Sequence, residues 1–223
     1  MVEIKNLHTQ WDSLSIDFSA SIEENSMFVI TGVSGSGKST VLRMISGLLP
    51  AGKNAEILLN GENVALKKPG KRKIGMVFQT PALFRHMRVI DNASYALAAR
   101  GVSRKERHRI ASEWLEHFEL AGFERRWPDS LSGGEAQRVA IVRTLIAEPD
   151  LVLFDEPFSA LDLPLRQKLG SLLREWQKSY HFTGILITHD LNEAKNLGDK
   201  ITVMRGGQQI WTGLPSDFSE ERL

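Results

Sequence analysis

Hydrophobic positions along this chain follow two periods. From 14 to 22 they alternate: Leu14, Ile16, Phe18, Ala20 and Ile22 point one way with polar residues between. That is the pattern of a half-buried strand with an antiparallel neighbour. Short apolar runs follow at 27–31, 56–60, 74–78, 151–155, 184–188 and 201–204. Several do not alternate and predict strands covered on both faces, as in a parallel sheet. Between them the period becomes helical. Val41, Met44, Ile45 and Leu48 share one face, as do Ile110, Trp114, Leu115 and Phe118. Val139, Val142 and Ile146 form a third such face. Leu165, Leu169, Leu172, Leu173 and Trp176 form a fourth, with Pro164 near the helix start. Alternating strands and helices predict an α/β fold. Residues 80–131 carry no convincing central strand and read as a helical insertion between the strand ending at Phe78 and a helix beginning near Gly134.

With 223 residues, the chain suits one domain with a substantial core and room for an inserted subdomain. Lys and Arg number 28 against 27 Asp and Glu, so charge gives no argument for nucleic acid or an acidic partner. The basic segments 67–73 and 104–109 read as solvated faces. The absence of cysteine excludes disulfides, zinc thiolate sites and cysteine nucleophiles. The start, Met1-Val2-Glu3-Ile4-Lys5, has no signal-peptide pattern, and no apolar run approaches the ~20 residues that cross a bilayer. A cytoplasmic protein is expected, tied to any membrane through a partner.

Gly32-Val33-Ser34-Gly35-Ser36-Gly37-Lys38-Ser39-Thr40 matches the phosphate-binding pattern G-x-x-x-x-G-K-[ST]. Glycines let the backbone wrap a phosphate with its N–H groups inward. Lys38 is then expected at the outer phosphates and Ser39 at Mg2+. The run 151–155 ends in Asp155, at the strand end that faces a ligand crevice in such sheets. Asp155 is a candidate Mg2+ holder through water, and Glu156 a candidate base for an attacking water, although the pair alone also fits a surface turn. Leu131-Ser132-Gly133-Gly134-Glu135 opens a helix. Ser132 and the amides there suit an anion, and equally a capped helix start with Glu135 at the third position. His189 follows the run 184–188, where it could meet a γ-phosphate or serve the core.

In this order the motifs resemble the nucleotide-binding subunits of ABC transporters over nearly the whole chain. Walker A is 32–40 and the Q-loop residue is Gln79. The signature is Leu131-Ser132-Gly133-Gly134-Glu135-Ala136-Gln137-Arg138-Val139, and Walker B with its glutamate is 151–156. The D-loop is Ser159-Ala160-Leu161-Asp162, and the switch histidine is His189. Trp11 takes the place of the family's adenine-stacking aromatic, commonly Tyr, with a core role as the alternative. Glu135 replaces the commoner glutamine. Glu24-Asn25-Ser26 replaces a Gly-Glu turn, which should survive because Asn tolerates the left-handed conformation.

The resemblance implies a P-loop NTPase core with a mostly parallel sheet, an N-terminal antiparallel β subdomain and an inserted helical subdomain. Residues 1–79 and 132–223 would form the ATP-binding core, and 80–131 the subdomain contacting a membrane partner, without a C-terminal regulatory domain. It further implies ATP and Mg2+ as ligands, with Ser39, Gln79 and Asp155 around the metal. Glu156 would be general base, and His189 and Gln79 would complete the catalytic set. Two copies would pair head to tail, placing residues 132–135 of one against ATP on the other, with Asp162 aligning the sites. Membrane permease subunits would dock on apolar residues such as Leu83, Phe84, Met87, Val89 and Tyr95, a solute-binding protein would complete the system, and this chain would lie at the cytoplasmic face of the inner membrane. No nucleic-acid partner is expected. Glu156-Pro157-Phe158-Ser159-Ala160-Leu161-Asp162 with Pro164-Leu165-Arg166, and Leu83-Phe84 with His86, resemble importer subunits for thiamine, ferric iron, polyamines or molybdate. Compact length, Trp11 and the Ile210-Trp211-Thr212-Gly213 ending lean toward the thiamine type. An exporter or lipoprotein-releasing ATPase, and a soluble ABC ATPase outside transport, are the alternatives.

Overall fold

The computed structural model describes residues 1–11, 14–219 and 222, Trp11 by its backbone alone. One ten-stranded sheet organises them. Its strands are β1 (Val2–Trp11), β2 (Leu14–Ile22), β3 (Met27–Thr31), β4 (Glu56–Leu59), β5 (Glu62–Asn63), β6 (Ile74–Val77), β7 (Leu151–Asp155), β8 (Gly184–Ile187), β9 (Lys200–Arg205) and β10 (Gln208–Gly213). They lie in the order β5-β4-β1-β2-β10-β9-β3-β8-β7-β6. From β9 to β6 all neighbours are parallel. β5, β4, β1 and β2 are antiparallel to one another. β10 joins the halves, antiparallel to β9 and parallel to β2.

The unbroken apolar runs are explained by two cores, one on each face. Along β3, Met27 and Val29 enter one core while Phe28 and Ile30 enter the other. β7 divides likewise, Val152 and Phe154 against Leu151 and Leu153. With both faces covered, a period of two leaves no polar trace in the sequence. The helix α1 (Lys38–Ser46) contributes Val41, Met44 and Ile45 to one face. On the other, α5 (Gly133–Leu145) and α6 (Leu163–Tyr180) contribute Val139, Val142, Leu169, Leu173 and Trp176. Between β6 and α5 lie α2 (Val89–Ala93), α3 (Tyr95–Ala99) and α4 (Arg104–His117). Phe118, just past α4, stacks on Trp176 of α6 at 4.0 Å, fastening this segment to the core. No helix among the described residues is long and apolar enough to cross a membrane.

Four details differ from or add to the sequence reading. β1 escapes the alternation rule because Asn6, at φ 55°, shifts the register between Ile4 and Leu7. Val2, Ile4 and Leu7 are buried nonetheless. Asn25 does adopt the left-handed conformation, φ 56°, before β3. Leu48 leaves the α1 face: Gly47 ends the helix at φ 82°, and Leu48 is 52% exposed.

The fourth is Arg72, in the basic segment expected to be solvated, which is buried instead. Its Nη1 donates to Met44 O at 3.0 Å and Ile45 O at 2.8 Å, its Nε to Lys67 O at 2.9 Å and its Nη2 to Ala65 O at 2.6 Å. A guanidinium thus caps the negative end of α1, although burial alone pushes its pKa down. Arg72→Met keeps bulk but strands four carbonyls. The expected cost is about 2–4 kcal/mol, a melting temperature lower by roughly 5–15 °C. Thermal unfolding checks this, and an unchanged midpoint would show the cap to be dispensable.

Candidate nucleotide site

The site is built where β3, β8 and β7 end side by side. Neighbouring parallel strands lie about 4.8 Å apart, so residues following each strand converge. Beyond β3 comes the loop 32–37. Gly32 takes φ 141°, and a Cβ there would lie 2.1 Å from Met204 O of β9. Only glycine can leave the sheet by this route. Gly35 (φ 78°) and Gly37 (φ 97°) turn the loop into α1, and no side chain caps that helix. Its first-turn amides, in the run from Lys38 to Thr40, therefore suit an anion. Ser36 is buried in the loop, while Val33 at its tip is 52% exposed and Ser34 is exposed.

Lys38 folds over the same loop. Its Nζ donates to Gly32 O at 2.7 Å, to Val33 O at 2.9 Å and weakly to Ser36 Oγ at 3.4 Å. Burial lowers its pKa, and the charges of Glu156 and Asp155 work against that shift. Next to it, the Ser39 hydroxyl donates to Asp155 Oδ1 at 2.8 Å. Burial raises the Asp155 pKa; the Ser39 bond, Arg43 and Lys38 oppose the shift, and Glu156 adds to it. A hydroxyl and a buried, incompletely compensated carboxylate fit a hard cation such as Mg2+. Among the described residues no group of three or more His, Cys, Asp or Glu could hold a metal by itself.

Glu156 follows at φ 46°, a conformation costly for a non-glycine residue, held by its N–H to Ile187 O at 3.1 Å. Its Oε2 lies 3.0 Å from His189 Nδ1, so β7 and β8 deliver this pair together. Gln79 is exposed, and its Nε2 donates to Ser159 Oγ at 3.0 Å rather than to the Ser39–Asp155 pair. Ser159 Oγ in turn donates to Glu156 O at 3.0 Å. This hydroxyl bridge escaped the sequence reading, for a lone serine in a loop carries no signal of its partners. Gln137 of α5 also escaped it: this buried side chain donates to Phe78 O at 3.1 Å.

Ser132 caps α5 and forms the full capping box. It accepts Glu135 N–H at 3.3 Å, while Glu135 Oε2 accepts Ser132 N–H at 2.7 Å. The Ser132 backbone bond is the main cause lowering the Glu135 pKa. Gly133 follows at the first helical position, and a Cβ on Gly134 would meet Leu165 Cδ2 at 2.9 Å, so small residues let α5 approach α6. Ser132→Ala is expected to cost about 1 kcal/mol, roughly 2–4 °C of melting temperature. A midpoint unchanged in calorimetry would remove the capping role. Asp162 caps α6, accepting Leu165 N–H at 3.0 Å. The Trp11 side chain lies outside the described residues. Of the apolar residues expected at a partner surface, Val89 is fully buried and belongs to the core, because α2 packs against α5. Tyr95 is 44% exposed, and its ring packs tilted against that of the partly exposed Phe84, with centroids 4.6 Å apart.

A strand-loop-helix phosphate cradle facing an acid-tipped parallel strand defines a P-loop α/β nucleotide-binding domain. The sequence profile described as ABC transporter matches residues 16–159, and the chain belongs to the ABC transporter family. The Fe(3+) ions import ATP-binding protein FbpC of Rhizobium etli is 41% identical over 204 residues, 92% of this chain and 58% of that protein. Its namesake in Agrobacterium fabrum is 40% identical over 204 residues, with the same shares of each chain, 92% and 58%. The chain spans about three-fifths of the length of the curated relatives it matches. Among solved structures, the ATP-binding cassette MJ0796, dimeric and bound to ADP and Pi after hydrolysis, superposes with TM-score 0.81 at 30% identity, covering 98% of this chain and 100% of that one. The Clostridium perfringens protein cbiO1, part of the transporter complex cbiONQ, superposes with TM-score 0.87 at 26% identity, covering 99% and 91%.

Proposed function

We propose that this chain binds and hydrolyses ATP to energise an ABC importer, with ferric iron as the cargo. The observation that carries the hydrolytic reading is the convergence beside the phosphate loop of two pairs, Ser39 with Asp155 and Glu156 with His189. Three similar proteins named for Fe(3+) import, those of Rhizobium etli, Agrobacterium fabrum and Rhizobium meliloti, favour iron over thiamine, polyamines or molybdate.

In this reading the loop amides and Lys38 hold the β- and γ-phosphates, and the Trp11 ring covers the adenine. Ser39, Asp155 and Gln79 would hold Mg2+, which supplies charge neutralisation at the phosphate oxygens. Gln79 would leave Ser159 to do so. Glu156 takes a proton from the attacking water as its oxygen bonds to the γ-phosphorus. The bond to the bridging oxygen breaks, and its electron pair leaves with ADP. His189 orients the Glu156 carboxylate and meets the γ-phosphate. Catalysis here is positioning and electrostatic stabilisation.

Two copies would pair head to tail, with residues 132–135 of one lying over the ATP of the other and Asp162 aligning the interface. Capping and phosphate binding are compatible uses of Ser132, since a helix start favours anions. Residues 1–79 and 132–223 form the ATP-binding core. Residues 80–131 form the subdomain that meets a membrane permease, with Phe84 and Tyr95 as its exposed apolar contacts. A solute-binding protein would deliver cargo from outside. The chain would sit at the cytoplasmic face of the inner membrane, held by its partners.

Two measurements test this. The purified chain should release phosphate from ATP with Mg2+, and cells lacking it should lose uptake of labelled ferric iron alone among the four solutes. No phosphate release would overturn the enzymatic reading. Selective loss of thiamine, polyamine or molybdate would overturn the cargo.

A further inference from the structure

Three loops meet beside Glu156, and one side chain without a role in the site described above joins two of them. Arg166 lies in the first turns of α6 and folds back toward the loop preceding it. Its Nη2 donates to Ser159 O and Leu161 O, both at 3.1 Å. Its Nη1 lies 3.7 Å from Asp190 Oδ2. Asp190 follows His189 directly. Its other oxygen accepts the N–H groups of Asn192 at 2.8 Å and Glu193 at 3.0 Å, capping α7 (Leu191–Leu197). On the other side of His189, Thr188 is buried, donates to Glu193 Oε2 and accepts Asp190 N–H at 3.0 Å. His189 is therefore held between two fixed residues, and Arg166 binds that frame to the carbonyls of the 159–161 loop.

We infer that Arg166 is a positioning residue, a clamp that makes the His189 loop and the 159–162 segment move as one. The inference rests on the ATPase function proposed above. A guanidinium presents its donors in a rigid fork and reaches two carbonyls and a carboxylate at once, which an ammonium cannot match. One of the loops it joins carries His189; the other, which leads on from Glu156, carries Ser159, the partner of Gln79, and the His189–Glu156 contact spans the two. Displacing such groups by about 1 Å can lower a rate by about a hundredfold. Arg166 touches none of the reacting atoms and acts only through these loops. It also lines a groove of about 400 Å³ between α6 and α7, beside Gln167, Gly170 and Glu193. Replacing it therefore opens onto solvent and leaves the core intact.

The test compares ATP turnover, KM and melting temperature for wild type, Arg166→Met, Arg166→Lys, Asp190→Asn and the Arg166→Met/Asp190→Asn pair. Arg166→Met should lower kcat by about tenfold or more with KM within about twofold and the melting temperature within about 3 °C. Arg166→Lys should recover only part of the loss. Asn still caps a helix, so Asp190→Asn probes the clamp alone, and the double variant should be no slower than Arg166→Met. A kcat within about twofold of wild type in Arg166→Met, or losses that multiply in the double variant, would overturn the clamp. So would a loss shared between KM and melting temperature. If Arg166→Met does not fold, Arg166→Lys decides: unchanged kcat overturns the inference, and a lowered kcat at unchanged KM supports it. A wild-type chain without turnover overturns the proposed function and this inference together, whereas turnover insensitive to Arg166 overturns this inference alone.

Discussion

Glu156→Gln is expected to lower ATP turnover by about 10²–10⁴-fold, the range spanned by general-base contributions, while ATP binding survives. Gln has the same shape and can keep an oxygen toward His189 Nδ1, now 3.0 Å from the Glu156 carboxylate. It cannot accept the proton of the attacking water. The backbone at φ 46° is set by the N–H bond to Ile187 O and not by side-chain charge, so folding should be unaffected. With hydrolysis blocked and ATP held, two copies should stay closed around nucleotide. Size-exclusion chromatography should then show an ATP-dependent dimer that the wild type forms only transiently. Phosphate release measured on the same preparation gives the rate. Wild-type turnover in this variant would move the base elsewhere, and slow turnover without a dimer would count against head-to-tail pairing.

Lys38→Met is expected to act one step earlier, at binding. A charge-assisted hydrogen bond is worth about 1.5–3 kcal/mol, so each one lost to phosphate weakens ATP roughly ten- to a hundredfold. Lys38 also closes the loop on itself through Gly32 O and Val33 O. Methionine fills the space but leaves those two carbonyls without that donor, so the loop should loosen as well. Isothermal titration with ATP and Mg2+ should show the weakened affinity, and no ATP-dependent dimer should form. The two variants therefore separate: one binds and does not hydrolyse, the other does neither. Unchanged affinity in Lys38→Met would confine the lysine to holding the loop.

The elements themselves were legible wherever burial leaves a period. The alternation of β2, the apolar runs of β3, β7 and β8, and the apolar faces of α4, α5 and α6 all correspond to elements in the fold. A single backbone irregularity hides an element by breaking its period. Asn6 bulges β1, and Gly47 cuts α1 short of Leu48. Arg72 was hidden for another reason: composition cannot distinguish a basic residue in solvent from one that caps a helix end.

The motifs within contiguous stretches were likewise visible: the glycine loop with its lysine, the acids closing β7, the capping box of α5 and the histidine after β8. These are local, since each needs only neighbours along the chain. Their assembly is not local. Ser39 meets Asp155 and His189 meets Glu156, each across a long stretch of sequence, because β3, β8 and β7 lie side by side in the sheet. Strand order depends on long-range packing of two cores, and no window of residues encodes it. The same holds for Gln79 resting on Ser159 and for Arg166 bridging two loops. A side chain's type announces what it can donate or accept. Only the folded backbone decides which partner is within 3 Å, because hydrogen bonds weaken steeply with distance and angle. The sequence by itself determined the family and the candidate residues whose types suit its chemistry. The tertiary structure decided which of them meet, and through which intermediaries.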